Sequence, residues 1–430
     1  LSYLNEKLVE ISKFIELLSS APRFEELDHS GKKVLLRVDI NVPLDKSRKE
    51  ILDDFRIYAH SKTIKKLLEL GCAVTVIAHQ GRPGDKEFST LELHAQYLSK
   101  YVGTEVKYID DVMGPAAREE IKKLKPGEVL LLDNVRFVSE EMLEKTPEEH
   151  SKSYLVSRLA PLFDEFVLDA FAAIHRPHAS IVGFTCVMPS CMGLVLQNEV
   201  DALKYLLSSN YKNTLVIAGG SKIPETVKVV SKILEKNIAD KVIVGGLVST
   251  VFTLAKYDVK GWIRDFVTKK NLQEQVETAR KLVEKYGDRL VTPLDHVVLR
   301  EDGAHYVRDV KEIDAEIVDI GPRTLDLYRE IVGQYENVIM TGPVGWVEKE
   351  EFAKGTLELL NTMISKCKFT AIGGGHTVMI ARRMGLLDKL SHVSTGGRAF
   401  LYSLVGEELP GLVALVKSKE KFLSKSSSSS

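Results

Sequence analysis

Short runs of aliphatic and β-branched residues alternate with amphipathic stretches along most of the chain. The runs predict strands over residues 33–41, 73–79, 128–137 and 165–172 in the first half. A second series covers residues 214–220, 241–246, 317–321, 337–342, 369–375 and 392–397. Several, such as VLLLDN and VIVGG, are apolar at nearly every position. A strand with one wet face alternates apolar and polar residues; a strand covered on both faces does not, and parallel sheets are covered in this way. Helical patterns over residues 56–70, 199–207, 225–237 and 355–365 lie between the runs. Strand–helix alternation predicts an α/β fold with right-handed crossovers.

The pattern breaks at TCVMPSCMGL, where Pro189 and Gly193 interrupt the strands. A long helical run follows, and the strand series restarts at Thr214. The boundary is placed near residue 198, inside that helix. The expected architecture is two similar-sized lobes, residues 21–198 and 199–397, each a Rossmann-like parallel β-sheet flanked by helices, joined by a hinge. Ahead of them, Leu4, Leu8, Ile11, Ile15 and Leu18 form one apolar stripe, so residues 1–20 are expected to be a helical extension. That stripe docks either on the first lobe or on a second copy, which leaves monomer or homodimer. Residues 416–430, ending in serines, are expected to be a disordered tail.

In open parallel sheets, ligands bind beyond the carboxyl ends of the strands. In the first half these ends read Arg37-Val-Asp39-Ile-Asn41, His79-Gln-Gly-Arg82, Asn134-Val-Arg136 and Asp169-Ala-Phe, with His175-Arg176-Pro-His178 close behind. Arg56 starts a helix beside the first. Five arginines on one rim suggest bidentate recognition of a carboxylate and a phosphate. In the second half the ends are rich in glycine: Gly219-Gly220-Ser221-Lys222, Gly245-Gly246, Gly321-Pro322, Gly342-Pro343-Val344-Gly345, Gly373-Gly374-Gly375-His376-Thr377 and Ser394-Thr395-Gly396-Gly397. Glycine lets the backbone approach a phosphate, and a following helix N-terminus supplies N–H donors. These loops point to a nucleotide polyphosphate. A small phosphorylated acid on one lobe and a nucleotide on the other suit phosphoryl transfer.

Composition narrows the alternatives. Lys+Arg is 59 and Asp+Glu is 60 in 430 residues, a net charge of −1, which argues against nucleic acid or an anionic membrane surface as partner. The four cysteines form no CxxC pair for zinc or redox chemistry. No apolar stretch is long enough to span a membrane, and no signal peptide is legible, so a cytoplasmic location is expected. The GxxxxGK[ST] loop, the GxGxxG fingerprint and the GxSxG elbow are all absent.

The runs RVDINVPL, AHQGRP, LLDNVRF, DAFAAIHRPHAS, GGSK, TGPVGWVE, GGGHT and HVSTGG, in this order, resemble those of the phosphoglycerate kinase family. The resemblance covers about Gly31 to Leu415 and is nearer to the archaeal branch. It implies the reversible reaction of 1,3-bisphosphoglycerate with ADP to give 3-phosphoglycerate and ATP, with Mg2+ carried by the nucleotide and no direct metal ligand from the protein. It assigns the acid substrate to Arg37, Asp39, Asn41, Arg56, His79, Arg82, Arg136 and Arg176. It assigns the nucleotide to Gly219, Gly220, Lys222, Gly245, Gly321, Gly342, Pro343, Glu348, Gly373, Gly374, Gly375, His376 and Thr377. Among these, Lys222 reaches the phosphates and Glu348 the ribose. Arg56 and Lys222 are the catalytic pair, Arg56 neutralising the transferring group.

Three positions depart from the family pattern. Thr226 stands where GGAK-x-x-x-K has its second lysine, with Lys228 two residues on. His376 replaces the aspartate of GGGDT, and Arg398 replaces a glycine of STGGGA. Magnesium prefers oxygen ligands, so His376 is expected on the nucleotide phosphates, or on a water of the metal, rather than on the metal itself. The lobes are expected to close for transfer, with hinges near Gln197–Glu199 and residues 394–397. Residues 398–415 are expected to return to the first lobe. A binding module without catalysis is the rival class, and the retained Arg56 and Lys222 argue against it. A different phosphotransferase on the same lobes is a third, and five rim arginines exceed what a simple carboxylate such as acetate needs.

Overall fold

The computed structural model describes residues 2–208, 213–406 and 408–424, with the backbone alone for residues 2–10 and Arg398. The chain forms two compact units, Leu1–Lys204 with Gly406–Ser430, and Tyr205–Val405. The helix Leu194–Ser208 runs through the first boundary. The second boundary falls after the helix Arg398–Leu404, so residues 398–405 belong to the second unit rather than to the returning segment expected from the sequence.

The first unit contains β1 (Lys33–Arg37), β2 (Ala73–Ile77), β3 (Val106–Ile109), β4 (Val129–Leu132), β5 (Glu165–Leu168) and β6 (Ser190–Met192). They form one parallel sheet in the order β3-β4-β2-β1-β5-β6. The central strands β2, β4 and β5 are buried at every position, which is why their sequences are continuous in apolar residues rather than alternating. The edge strand β6 begins just after Pro189, inside the stretch that broke the sequence pattern. Proline lacks a ladder donor, yet the Pro189 carbonyl still accepts from Phe166 N–H at 2.9 Å.

Both chain termini are tied to this unit. The helix Ser2–Ser20 lies against the helix Pro410–Ser418, and Leu18 is buried. Leu4 and Leu8 of the apolar stripe lie outside the described side chains. Residues 416–424 of the expected disordered tail are ordered, and residues 425–430 lie outside the described residues. Ser418 Oγ donates to the Met188 carbonyl, Lys421 Nζ donates to the Cys186 carbonyl, and Leu423 packs on the core. Apolar anchors at Leu412, Leu415 and Leu423 outweigh the low complexity of the serines that follow.

The second unit contains β7 (Thr214–Ala218), β8 (Lys241–Val244), β9 (Leu290–Val291), β10 (Asp295–Leu299), β11 (His305–Asp309), β12 (Glu316–Ile320), β13 (Asn337–Thr341), β14 (Phe369–Gly373) and β15 (His392–Ser394). Six of them form a parallel sheet in the order β15-β14-β13-β7-β8-β9. Counted along that sheet, this is the doubly wound 3-2-1-4-5-6 arrangement, whose direction reverses between β7 and β13. The run at residues 317–321 is a strand, but β12 joins β10 and β11 in a separate antiparallel sheet. Periodicity marks a buried strand and does not say which sheet will take it.

Candidate active site

Register brings the first unit's polar loops to one level. Arg37 is paired with Ile77 on one side and Leu168 on the other, so the chain leaves β1, β2 and β5 together. Arg37, Asp39, His79 and Arg136 are buried there, Arg56, Asn41 and Arg176 are partly exposed, and Arg82 is exposed. Arg56 donates to Asp39 Oδ1 at 3.1 Å and to the Asn41 carbonyl at 3.0 Å. Asn41 Oδ1 accepts from Gly81 N–H at 3.0 Å, which ties the first two loops. Arg136 donates to the Gly81 carbonyl, while its buried Nε has no partner.

The cations of this rim lower one another's affinity for protons. Burial, then the like charges of Arg176 and Arg37, push the Arg136 guanidinium down to about 10. Burial and Arg82 lower Arg176. Burial also holds the His79 imidazole well below its ordinary value, with Arg37, Arg136 and Arg56 adding to the effect against Asp39. Repelling cations with an orphaned donor are poised for an anion, which relieves the repulsion as it binds. Arg37 differs from the expected rim residue. It is fully buried, donating to Ser180 Oγ at 2.8 Å, to His79 Nδ1 at 3.1 Å and to the Val38 carbonyl.

Sheet order explains the second site. Thr341 of β13 lies between Ala218 of β7 and Gly373 of β14, so the loops at Gly219, Gly342 and Gly374 leave the sheet side by side at the reversal point. Gly342 sits at φ +77°, and a Cβ there would collide with the Gly219 backbone, so only glycine permits this approach. An open cavity of about 220 Å3 is bounded by Gly220, Gly246, Pro343, Trp346, Glu348 and His376, among others. Lys222 is exposed at the start of the helix Ile223–Glu235.

His376 Nδ1 lies 2.6 Å from Glu348 Oε1, which joins the residue expected on the phosphates to the one expected on the ribose. Thr377 is buried with Oγ1 unpartnered, at the start of the helix Gly375–Arg383. Thr226 Oγ1 donates to the Lys222 carbonyl at 2.8 Å, so it closes a helical turn where the family has a cation. The Arg398 side chain lies outside the described residues. Gly321 stands apart from the cavity lining. It follows β12 of the antiparallel sheet, and its N–H donates to the Asp295 carbonyl at 2.9 Å.

Sequence reasoning missed the apolar cavity walls at Leu247, Ile317, Val318 and Trp346. An exposed tryptophan beside a glycine loop was the available signal. It also missed Glu141, Ser180 and His60 in the layer beneath the rim, where the strand-end residue Asp169 joins them. Asp169 Oδ1 accepts from Val195 and Leu196 N–H, while Oδ2 takes Thr63 Oγ1 and stands 3.1 Å from His60 Nδ1.

Two parallel α/β units, one with a gathered set of guanidinium groups and the other with a glycine-lined cavity at its switch point, define a phosphotransferase of the two-lobed class. The phosphoglycerate kinase family matches residues 24–407. A phosphoglycerate kinase of Pyrobaculum aerophilum is 43% identical over 408 residues, covering 95% of this chain and 98% of its own. One of Methanopyrus kandleri is 42% identical, covering 91% and 96%. The crystal structure of phosphoglycerate kinase from Pyrococcus horikoshii OT3 superposes with a TM-score of 0.87 at 38% identity, covering 93% of this chain and all of the other (100%). The chain belongs to the phosphoglycerate kinase family, on the archaeal side that its motifs resemble. It catalyses reversible phosphoryl transfer between 1,3-bisphosphoglycerate with ADP and 3-phosphoglycerate with ATP.

Proposed function

We propose that the first unit's rim holds the phosphoglycerate and the second unit's cavity holds the nucleotide, with Arg56 and Lys222 acting on the transferring phosphoryl group. The observation that carries this reading is the crowding at Arg136: a buried guanidinium among like charges, with an unpartnered Nε. Arg136, Arg176, Arg82 and His79 take the phosphate and carboxylate of the acid, and Asp39 and Asn41 hold the loops that present them. Gly219, Gly220, Gly245, Gly342 and Gly373–Gly375 admit the nucleotide, Pro343 and Trp346 flank it, and Glu348 receives the ribose. Arg136→Ala tests the rim. It should raise KM for 3-phosphoglycerate at least tenfold, as expected for a desolvated charge-assisted contact, and leave KM for ATP within about twofold. An unchanged KM for 3-phosphoglycerate would refute the assignment.

Mg2+ fits this site as a companion of the nucleotide. Glu316 and Glu348 are the lining carboxylates, Glu348 is engaged by His376, and the nearby Thr377 hydroxyl is neutral. These donors cannot fill the octahedral oxygen shell that Mg2+ demands, whereas phosphates and water can. Bound in that way, the ion neutralises charge on the nucleotide phosphates. Transfer requires reacting atoms about 3–3.5 Å apart, so the reading includes closure of the units when both substrates bind; X-ray scattering without compaction would count against it. The enzyme is read as cytoplasmic, a monomer or a homodimer. Among the described residues no helix is long and apolar enough to cross a membrane.

A further inference from the structure

We propose that Glu141 is a positioning residue for the acid site, acting through Ser180 and Arg37 to fix the tautomer of His79. The inference rests on the reading of the rim as the phosphoglycerate site.

Glu141 lies in the loop after Arg136 and is fully buried. Its Oε1 accepts the Ser180 hydroxyl at 2.6 Å and its Oε2 accepts Ser180 N–H at 2.8 Å. Ser180 Oγ in turn accepts Arg37 Nε–H at 2.8 Å. A hydroxyl has one proton. Burial raises the Glu141 carboxyl, but Arg37 and both Ser180 hydrogen bonds favour its ionised form; the carboxylate takes the proton, so the Oγ lone pairs face the guanidinium and the direction of the chain is set by the charges at its ends. Arg37 then donates to His79 Nδ1 at 3.1 Å. A guanidinium cannot accept, so Nδ1 must be the acceptor, and a neutral His79 carries its proton on Nε2. Burial keeps His79 neutral. The imidazole is thereby held as an N–H donor, the form an anionic substrate needs.

Arg37 has no direct carboxylate partner among its hydrogen bonds, although Glu141 and Asp39 act on its charge through space. A pair kept only for stability would gain more from direct contact. Interposing a hydroxyl spreads the guanidinium so that one arm reaches His79. His178 Nδ1 stands 3.8 Å from Glu141 Oε1, but burial pushes that imidazole down to about 3, so it does not compete as a cation at neutral pH.

The experiment uses the full chain with Glu141→Gln and Ser180→Ala, and Arg136→Ala in parallel. A glutamine oxygen can satisfy the Ser180 N–H only by turning its NH2 toward Oγ, which removes the drive on the hydroxyl proton. KM for 3-phosphoglycerate should rise about fivefold or more in both relay variants, with KM for ATP within about twofold. Released from Ser180, Arg37 should turn from His79, and the nitrogen NMR shifts of His79 should lose the Nε2–H pattern. A merely structural role would lower the folded fraction, and so the maximal rate, with both KM values and the His79 shifts unchanged; that result overturns the proposal. If Arg136→Ala raises KM for 3-phosphoglycerate and the relay variants do not, the relay fails and the rim stands. If Arg136→Ala has no effect, the rim assignment fails, and the relay role with it.

Discussion

Asp39 accepts a hydrogen bond from Arg56 at 3.1 Å, and the two side chains differ in setting: the carboxylate is buried and the guanidinium is partly exposed. Burial alone would raise the Asp39 carboxyl, but the guanidinium groups of Arg56 and Arg37 hold it well below the ordinary carboxylate range. Arg56 is thus anchored through one nitrogen while the rest of its fork remains available for a phosphoryl oxygen. Preorganised cations of this kind are worth about a hundredfold or more in rate. Arg56→Ala should lower kcat by about that factor with a modest change in KM, measured by a coupled assay. A wild-type kcat would remove Arg56 from the chemistry.

Asp39→Asn tests the other half of the pair. Because the folded-state carboxyl is depressed, its stabilisation is present above the unfolded pKa of about 3.9 and is lost as pH falls through the folded value. The variant should melt below wild type at pH 7. The gap should narrow under acid conditions, below about pH 4. Parallel melting curves from pH 7 to pH 2 would contradict the pairing.

Asp319 carries the opposite sign. Burial pushes its carboxyl up to about 7, against hydrogen bonds from Gly355 and Ile320 N–H, each at 2.8 Å. A raised pKa gives stability that is fully present below the unfolded value and is lost as pH rises through about 7. Wild-type stability should therefore decline between about pH 4 and pH 8 in part through this group. Asp319→Asn should flatten that decline in denaturant titrations, and an unchanged slope would refute the assignment.

His376 stands against Glu348 where the family has an aspartate. His376→Asp would set two carboxylates side by side near the nucleotide phosphates, a repulsion that a divalent cation relieves. Calorimetry across a Mg2+ series should show ADP affinity rising more steeply with Mg2+ in the variant than in wild type. Identical Mg2+ dependence would separate His376 from the metal–nucleotide.

Deleting residues 1–20 should lower the melting temperature and leave the mass in light scattering unchanged. Leu18 is buried, and the helix Ser2–Ser20 lies on the helix Pro410–Ser418 of the same unit. Losing Leu18 alone removes about 1.5–3 kcal/mol of burial. A halved mass would instead assign the helix to a dimer contact.

Local patterns determined much of this protein. Doubly buried strands announce themselves as continuous apolar runs, because both faces must be dry, so β1, β2, β4, β5, β7, β8, β13 and β14 were legible with the α/β class. The strand ends, and hence Arg37, His79, Arg136 and the glycine loops, followed from where those runs stop. Tertiary structure decided what depends on neighbours distant in sequence. Strand order placed β7 beside β13 and gathered their loops, while β12, equally apolar, joined an antiparallel sheet and carried Gly321 with it. Apolar contacts far from the serines ordered residues 416–424. Glu141 lies 39 residues from Ser180 and Arg37 lies 143 from it, so no spacing in the chain could reveal the relay that joins them. Hydrophobic periodicity is a local property of the backbone, whereas a buried charge is tolerated only by partners that folding brings to it.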